Sequence, residues 1–356
     1  MTDVQFGIAV EATTPVGILG VGFQATEGTS TLYPTLLDQM VSQGLIRSRA
    51  YSLYLNDLEA QAGHILFGGV DTEKFYGNLS TLPMNHNITG QSSRFLITLT
   101  GLSLSPPTGP TIGVANSNNY PINVLLDSGA TFCVLPHDIV QALAKATGAI
   151  YYPSVEVYLL QDCSEQYAQG TINFFFSGVE INVPYDQFIV RRTRGDGTGV
   201  CILGVIEGTS HYTLGDSFLR SAYVVYDLVC PNPFCRSLIR QDNQEISIAN
   251  AKFDVSASNI RPILSGTNNV PSATRVQNPT TLLDDERPNL AGTATGLGGA
   301  IPTKPPGASA TNIRGARPTN SGVLSLSAAN AIESISLWGF GASSFVCVVL
   351  GAWLIS

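Results

Sequence analysis

Charge is scarce in this 356-residue chain, at 12% of positions, about half of what soluble domains usually carry. Basic residues are the scarcer kind: 18 Lys and Arg stand against 26 Asp and Glu, for a net charge of −8. A phosphate-backbone binder needs a basic face, so nucleic acid is excluded as a partner. So little charge also excludes a cytosolic helical bundle. The four histidines, His64, His86, His137 and His211, show no ligand or nucleophile arrangement. Gly195, Gly197 and Gly199 are not followed by the helix that a dinucleotide loop requires. No cofactor and no metal are therefore expected. The start, Met1-Thr-Asp-Val-Gln-Phe-Gly, has neither the basic residues nor the apolar run of a secretory signal.

What is present is apolar and turn-rich. Hydrophobic residues make up 44%, with 35 Gly and 20 Pro. Short runs of β-branched and aromatic residues lie between turn signals, at Ala50 to Leu55, His64 to Phe67, Arg94 to Thr98, Thr171 to Phe176 and Ala222 to Tyr226. Two segments have helical spacing. One follows Pro34, with Leu36, Leu37, Met40 and Val41 on one face and Gly44 as its stop; the other follows Pro136, with Ile139, Val140, Leu143 and Ala144 apolar and Gly148 as its stop. The expected class is all-β with few, short helices.

None of the 30 aromatic residues lies between Phe253 and Trp338. From 256 to 330, 17 Ser or Thr, 8 Pro and 8 Gly fill 33 of 75 positions. Such a segment buries too little apolar surface to offset its ordering entropy, so a disordered, O-glycosylated stalk is expected, with the fold ending near Phe253. Leu337 to Ser356 is then uncharged, with no Lys or Arg behind it. It reads as a removable glycosylphosphatidylinositol signal, with Ser327-Ala328-Ala329 or Asn320-Ser321-Gly322 as the attachment site, or else as a retained membrane helix. Cys133, Cys163, Cys201, Cys230 and Cys235 would remain once such a tail, with Cys347, was removed, leaving at least one unpaired. Cys230-Pro-Asn-Pro-Phe-Cys235 reads as a small disulfide loop, and no second Cys/His pair makes it a metal site. Asn78-Leu-Ser and Asn87-Ile-Thr are N-glycosylation sequons. These features point outside the cell and conflict with the absence of an entry signal, so a segment ahead of Met1 is expected.

The chemistry centres on Val124-Leu-Leu-Asp127-Ser128-Gly129-Ala130-Thr131, an acid placed directly after an apolar strand and before a glycine turn. Leu214-Gly215 follows 87 residues after Asp127, in Tyr212-Thr-Leu-Gly-Asp-Ser-Phe218. Asp216 reads as structural, Asp71 and Asp227 as loop or strand-end residues, and Cys133 as a buried small hydrophobe. Arg194-Gly195-Asp196 reads as a hairpin tip.

Residues 1 to about 253 resemble a pepsin-like aspartic protease. Gly17-Ile18-Leu19-Gly20 is similar to the apolar-apolar-Gly element of that family's N-terminal lobe. Gly63 to Asp71 and Tyr76 to Leu79 are similar to the strands that enter the second lobe. Asp127-Ser128-Gly129 matches the second catalytic motif, and Leu214-Gly215-Asp216 its partner. The stalk and tail are most similar to the fungal, yapsin-like branch. The resemblance implies a bilobal fold with an incomplete N-terminal lobe. Its units would be 1–88, a remnant of that lobe with the interlobe strands; 89–253, the C-terminal catalytic lobe; 254–333, the stalk; and 334–356, the tail. It also implies a Cys163–Cys201 disulfide and a substrate pocket touched by Ile18.

By the same resemblance the protein is an aspartic endopeptidase acting on proteins or peptides, monomeric and held at the cell surface. Two aspartates share one proton in this family, because both cannot ionise side by side. One activates a water and the other protonates the peptide carbonyl. Asp127 supplies one, within a loop of Ser128, Gly129, Thr131, Leu214 and Gly215; this sequence has no second Asp-Ser/Thr-Gly. The alternative is a non-catalytic, protease-like surface glycoprotein. Ala130 stands where the family carries a hydroxyl that bonds the carboxylate, which implies a raised pKa and a pH optimum shifted upward.

Overall fold

The computed structural model describes residues 4–5, 18–26, 32–60, 62–86, 92, 94–161, 163, 169–193, 199–228, 244–266, 269–284 and the backbone of 347–349. Within them the class is the expected one: strands dominate and helices are short.

The largest sheet has six strands, in the order Ala273–Arg275, Leu79–Pro83, Glu245–Asn250, Ala222–Asp227, Ala50–Tyr54 and His64–Phe67. Ala222–Asp227 and Ala50–Tyr54, adjacent near its middle, are buried at every residue, as strands covered on both faces must be. The second sheet carries the candidate site. It runs Val205–Gly208, Cys133–Pro136, Thr213–Leu214, Ile122–Leu126, Leu96–Leu99. Ile122, Val124 and Leu126 are buried and Asn123 and Leu125 less so, the period-two pattern of a strand with one face on the core. Two four-stranded sheets complete the body: Ala149–Tyr152, Val157–Leu160, Gly199–Leu203, Ile189–Thr193, and Val179–Pro184, Thr171–Phe176, Gly101–Ser105, Ile112–Gly113.

Both expected helices form. Leu36–Ser42 is opened by a capping box in which Thr35 accepts from the Asp38 N–H and Asp38 accepts from the Thr35 N–H. His137–Thr147 buries Ile139, Val140, Leu143 and Ala144 and stops at Gly148, whose φ of 70° is left-handed. Tyr185–Phe188 and Asp216–Leu219 are single turns, too short to carry a helical period.

The body continues past Phe253. Residues 254–266 and 269–284 form a strap along it, where the sequence reading places a disordered stalk. Ile260–Pro262 pairs antiparallel with Gly69–Asp71, and Ala273–Arg275 pairs parallel with Leu79–Thr81. Ile263 is fully buried, and Asp284 pairs with Arg94. Composition misses this because the strap brings no core of its own: it borrows sheet edges that would otherwise stay open. A chain ended at 253 is therefore expected to lose at least about 3 kcal/mol of unfolding free energy, from lost apolar burial and exposed edges. A chain ended at 284 keeps the strap and should melt above the one ended at 253. Equal melting of both shortened chains would show that the strap contributes nothing.

Of the expected tail, only Cys347–Val349 is described, as a strand parallel to Ile18–Gly20. Among the described residues, no helix is long and apolar enough to cross a membrane.

Candidate active site

Thr213–Leu214 is only two residues long, yet it lies between two strands. It runs parallel to Ile122–Leu126, with Leu214 opposite Leu126, and antiparallel to Cys133–Pro136, with Thr213 opposite Val134. The segment from Asp127 to Phe132 joins those two neighbours and so must arch over the end of the short strand. Backbone bonds fasten the arch. The Asp127 N–H donates to Leu214 O at 3.1 Å, the Asp216 N–H to Ala130 O at 2.7 Å, and the Ser217 N–H to Thr131 O at 3.1 Å.

The glycines explain themselves at this point. A Cβ on Gly215 would lie 2.3 Å from Ala130 O and 2.5 Å from Phe132 O. Two backbone carbonyls cannot swing aside, so glycine alone lets the short strand end inside the arch. Gly129 sits in the turn, its N–H donating to Asp127 Oδ1 at 2.8 Å. Ser128 is buried, while Asp127, Ala130 and Thr131 are partly exposed at the end of the sheet. Asp127, Ser128, Gly129, Thr131, Leu214 and Gly215, which the sequence separates into two groups, thus form one loop.

Behind the loop lie Asp216, Arg220, Cys133 and Ser217. The Ser217 hydroxyl donates to Gly204 O at 2.7 Å and accepts from the Cys133 N–H at 3.2 Å. Burial pushes the Cys133 thiol up to about 11, so it stays protonated and is no nucleophile. Burial likewise raises the Asp216 carboxyl to about 7, against the opposing pull of Arg220 and with a smaller push from Asp127. Its Oδ1 is buried without a hydrogen-bond partner.

Between the ordinary carboxyl range and about 7, the unfolded chain has lost the Asp216 proton while the folded chain keeps it. Stability therefore falls as pH rises through that window, by an amount on the order of 4 kcal/mol, and levels off above it. Urea midpoints of Asp216→Asn, which cannot titrate, should be flatter across the same window. A slope unchanged from the parent would assign the dependence to other groups.

The remaining sequence candidates lie elsewhere. Ile18 is 46% exposed on the Ile18–Gly20 strand. Asn78 is exposed beside Gly77 in the turn before Leu79–Pro83. Cys163 and Cys201 are joined in a disulfide with Cα atoms 5.8 Å apart. Asn87, Cys230, Cys235 and Arg194-Gly195-Asp196 lie outside the described residues. Among the described residues, no group of three or more His, Cys, Asp and Glu could hold a metal ion.

Three residues near the loop escape the sequence reading: Phe95, whose carbonyl accepts the Leu126 N–H at 3.0 Å, and Tyr51 and Tyr226. They sit in no motif, and only cross-strand register brings them together.

Comparison with known proteins bears on the fold and the family. The crystal structure of an aspartic proteinase from Irpex lacteus superposes with a TM-score of 0.50 at 23% identity, over 68% of this chain and 70% of that one. That likeness concerns the fold. The "Probable aspartic-type endopeptidase opsB" of Aspergillus oryzae is 41% identical over 291 residues, 78% of this chain and 56% of its own length. "Aspartic proteinase yapsin-3" of Saccharomyces cerevisiae is 34% identical over 292 residues, 77% and 53% of the two chains. This chain thus spans little more than half the length of these relatives. The family model for "Eukaryotic aspartyl protease" matches residues 2–232, a stretch that contains the whole Asp127 arch and its Leu214-Gly215 partner. The chain belongs to the eukaryotic aspartyl protease family.

Proposed function

We propose that this protein takes part in peptide-bond hydrolysis as an aspartic-type endopeptidase, with Asp127 as one of its two carboxylates. The observation that carries the reading is the closed arch around Gly215, which fixes the acid at the mouth of the sheet between backbone partners. A carboxylate so held acts as general base on a water, whose oxygen then attacks the scissile carbonyl carbon. The second carboxyl group, in its acid form, protonates the carbonyl oxygen. The tetrahedral intermediate collapses as the leaving amine takes up a proton. By resemblance, Ile18–Gly20 holds in the first lobe the place that Thr213–Leu214 holds in the second. Ile18, exposed on that strand, would then line part of the substrate cleft.

The finer reading is a monomeric enzyme of the cell surface, retained by a lipid anchor or an apolar helix. The exposed Asn78 sequon, the Cys163–Cys201 disulfide and the uncharged tail support it. The domain units proposed are a lobe remnant, a catalytic lobe and a stalk with its tail, the fold of the second continuing to residue 284.

One observation favours a second reading, a non-catalytic binding protein of the same fold: the sequence holds a single Asp-Ser-Gly. The deciding experiment incubates the protein with an unfolded polypeptide across acid to neutral pH and maps new termini by mass spectrometry. New termini that vanish with Asp127→Asn establish the endopeptidase. Peptide retention without any cleavage establishes the binding protein.

A further inference from the structure

The six-stranded sheet presents two tyrosines side by side, connected through Phe95 to the strand that leads into Asp127. Tyr51 and Tyr226 are register partners on adjacent antiparallel strands. Their rings stack at 4.8 Å between centroids, 19° from parallel. Phe95 closes on Tyr226 edge-on at 4.7 Å, and its backbone carbonyl accepts the N–H of Leu126, the residue before Asp127. Phe23 packs on Phe95 at 5.0 Å from the other side. The rings are thereby fixed in position and completely buried.

Neither hydroxyl has a hydrogen-bond partner. Two bare phenols in an apolar cluster are costly, since each unsatisfied hydroxyl sacrifices about 1–3 kcal/mol. Phenylalanine would fill the same space without that cost. The charge that reaches both tyrosines is that of Asp127, which adds to the burial that holds both phenols protonated. Protonated phenols are hydrogen-bond donors next to an anion. A buried water typically makes about three hydrogen bonds, and two phenols with one carboxylate offer that number.

We propose that Tyr51 and Tyr226 are positioning residues for Asp127: their hydroxyls donate to one buried water, which in turn donates to the Asp127 carboxylate. The water is thus a fixed part of the site, and the pair favours the charged form of the acid. Asp216 opposes the charge of Asp127, and Arg220 in turn faces Asp216. Neither belongs to the six-stranded sheet. The inference rests on the reading of Asp127 as the reactive acid only for its effect on rate.

The test is read on the resting protein, with no substrate. Aspartate carboxyl carbons are labelled with carbon-13 in the whole chain, and the Asp127 signal is identified by its loss in Asp127→Asn. Its titration midpoint is then followed in Tyr51→Phe, Tyr226→Phe and the double variant. The midpoint should rise by about one pH unit in the double variant and by part of that in each single one. Melting temperatures should fall by only a few degrees, because the rings keep their packing and only the hydrogen bonds to the water are lost. Phe95→Leu, which loosens the same cluster without touching a hydroxyl, should leave the midpoint in place.

A midpoint that does not move in either single variant overturns the proposal, as does an equal movement in Phe95→Leu. If the double variant fails to fold, the single variants decide. A protein that shows the shift but cleaves no peptide sinks the endopeptidase reading and leaves this one standing. Cleavage with an unmoved midpoint does the reverse.

Discussion

Replacing Asp127 with asparagine is expected to cut the turnover of any cleaving preparation of this protein by at least about 10³-fold, the scale of general acid–base catalysis. The fold should survive. Asp127 is partly exposed, and its Oδ1 accepts from the Gly129 N–H at 2.8 Å, a bond that an asparagine oxygen also accepts. Its backbone N–H bond to Leu214 O is untouched by the change. What asparagine lacks is a basic oxygen that can take a proton from water. The loss should therefore fall on turnover, with substrate affinity and melting temperature close to the parent's. Retention of a tenth of the activity or more would remove Asp127 from the mechanism. A collapse of the melting temperature would instead make it a structural residue.

Gly215→Ala is expected to have an effect of comparable size through a different cause. The added methyl would meet Ala130 O at 2.3 Å and Phe132 O at 2.5 Å, both backbone atoms of the arch. No rotamer relieves this, because alanine has none. Either the arch opens, which displaces Asp127, or the Thr213–Leu214 strand withdraws, which costs its pairing on both sides. The expected loss is at least about 3 kcal/mol of stability, with activity lost as well. Gly44→Ala makes a useful contrast, since its added methyl meets nothing within 4 Å and only its φ of +68° resists. That change should cost about 1–2 kcal/mol at most. Gly113→Ala, with open space and no positive φ, should be close to neutral. Unfolding curves for the three variants test the order directly. A Gly215→Ala protein as stable as Gly113→Ala would show that the arch is not closed as described.

The sequence alone reached the class, the two main helices and the loop. His137–Thr147 was legible because its apolar spacing, its preceding proline and its terminal Gly148 all act within a few residues. The Asp127 loop was legible for a similar reason: the acid, the turn glycine and the strand before it are contiguous, and Leu214-Gly215 keeps a recognisable order. Chemistry written in short local patterns needs no tertiary structure to be read.

Tertiary structure alone decided what depends on distant partners. The strap of residues 254–266 and 269–284 contains no aromatic and is rich in Ser, Thr, Pro and Asn, so its own composition argues for disorder. It is ordered by the edges of Gly69–Asp71 and Leu79–Thr81, whose open backbone groups lie nearly two hundred positions earlier in the chain. Tyr51 and Tyr226 each read as ordinary strand aromatics. Their stacking follows from a register between strands 175 residues apart (226 minus 51), and their relation to Asp127 from the packing of Phe95 on Tyr226. Side-chain alternation tells which residues share a face. It does not tell what that face is packed against, and on that face Tyr51 and Tyr226 set their buried rings.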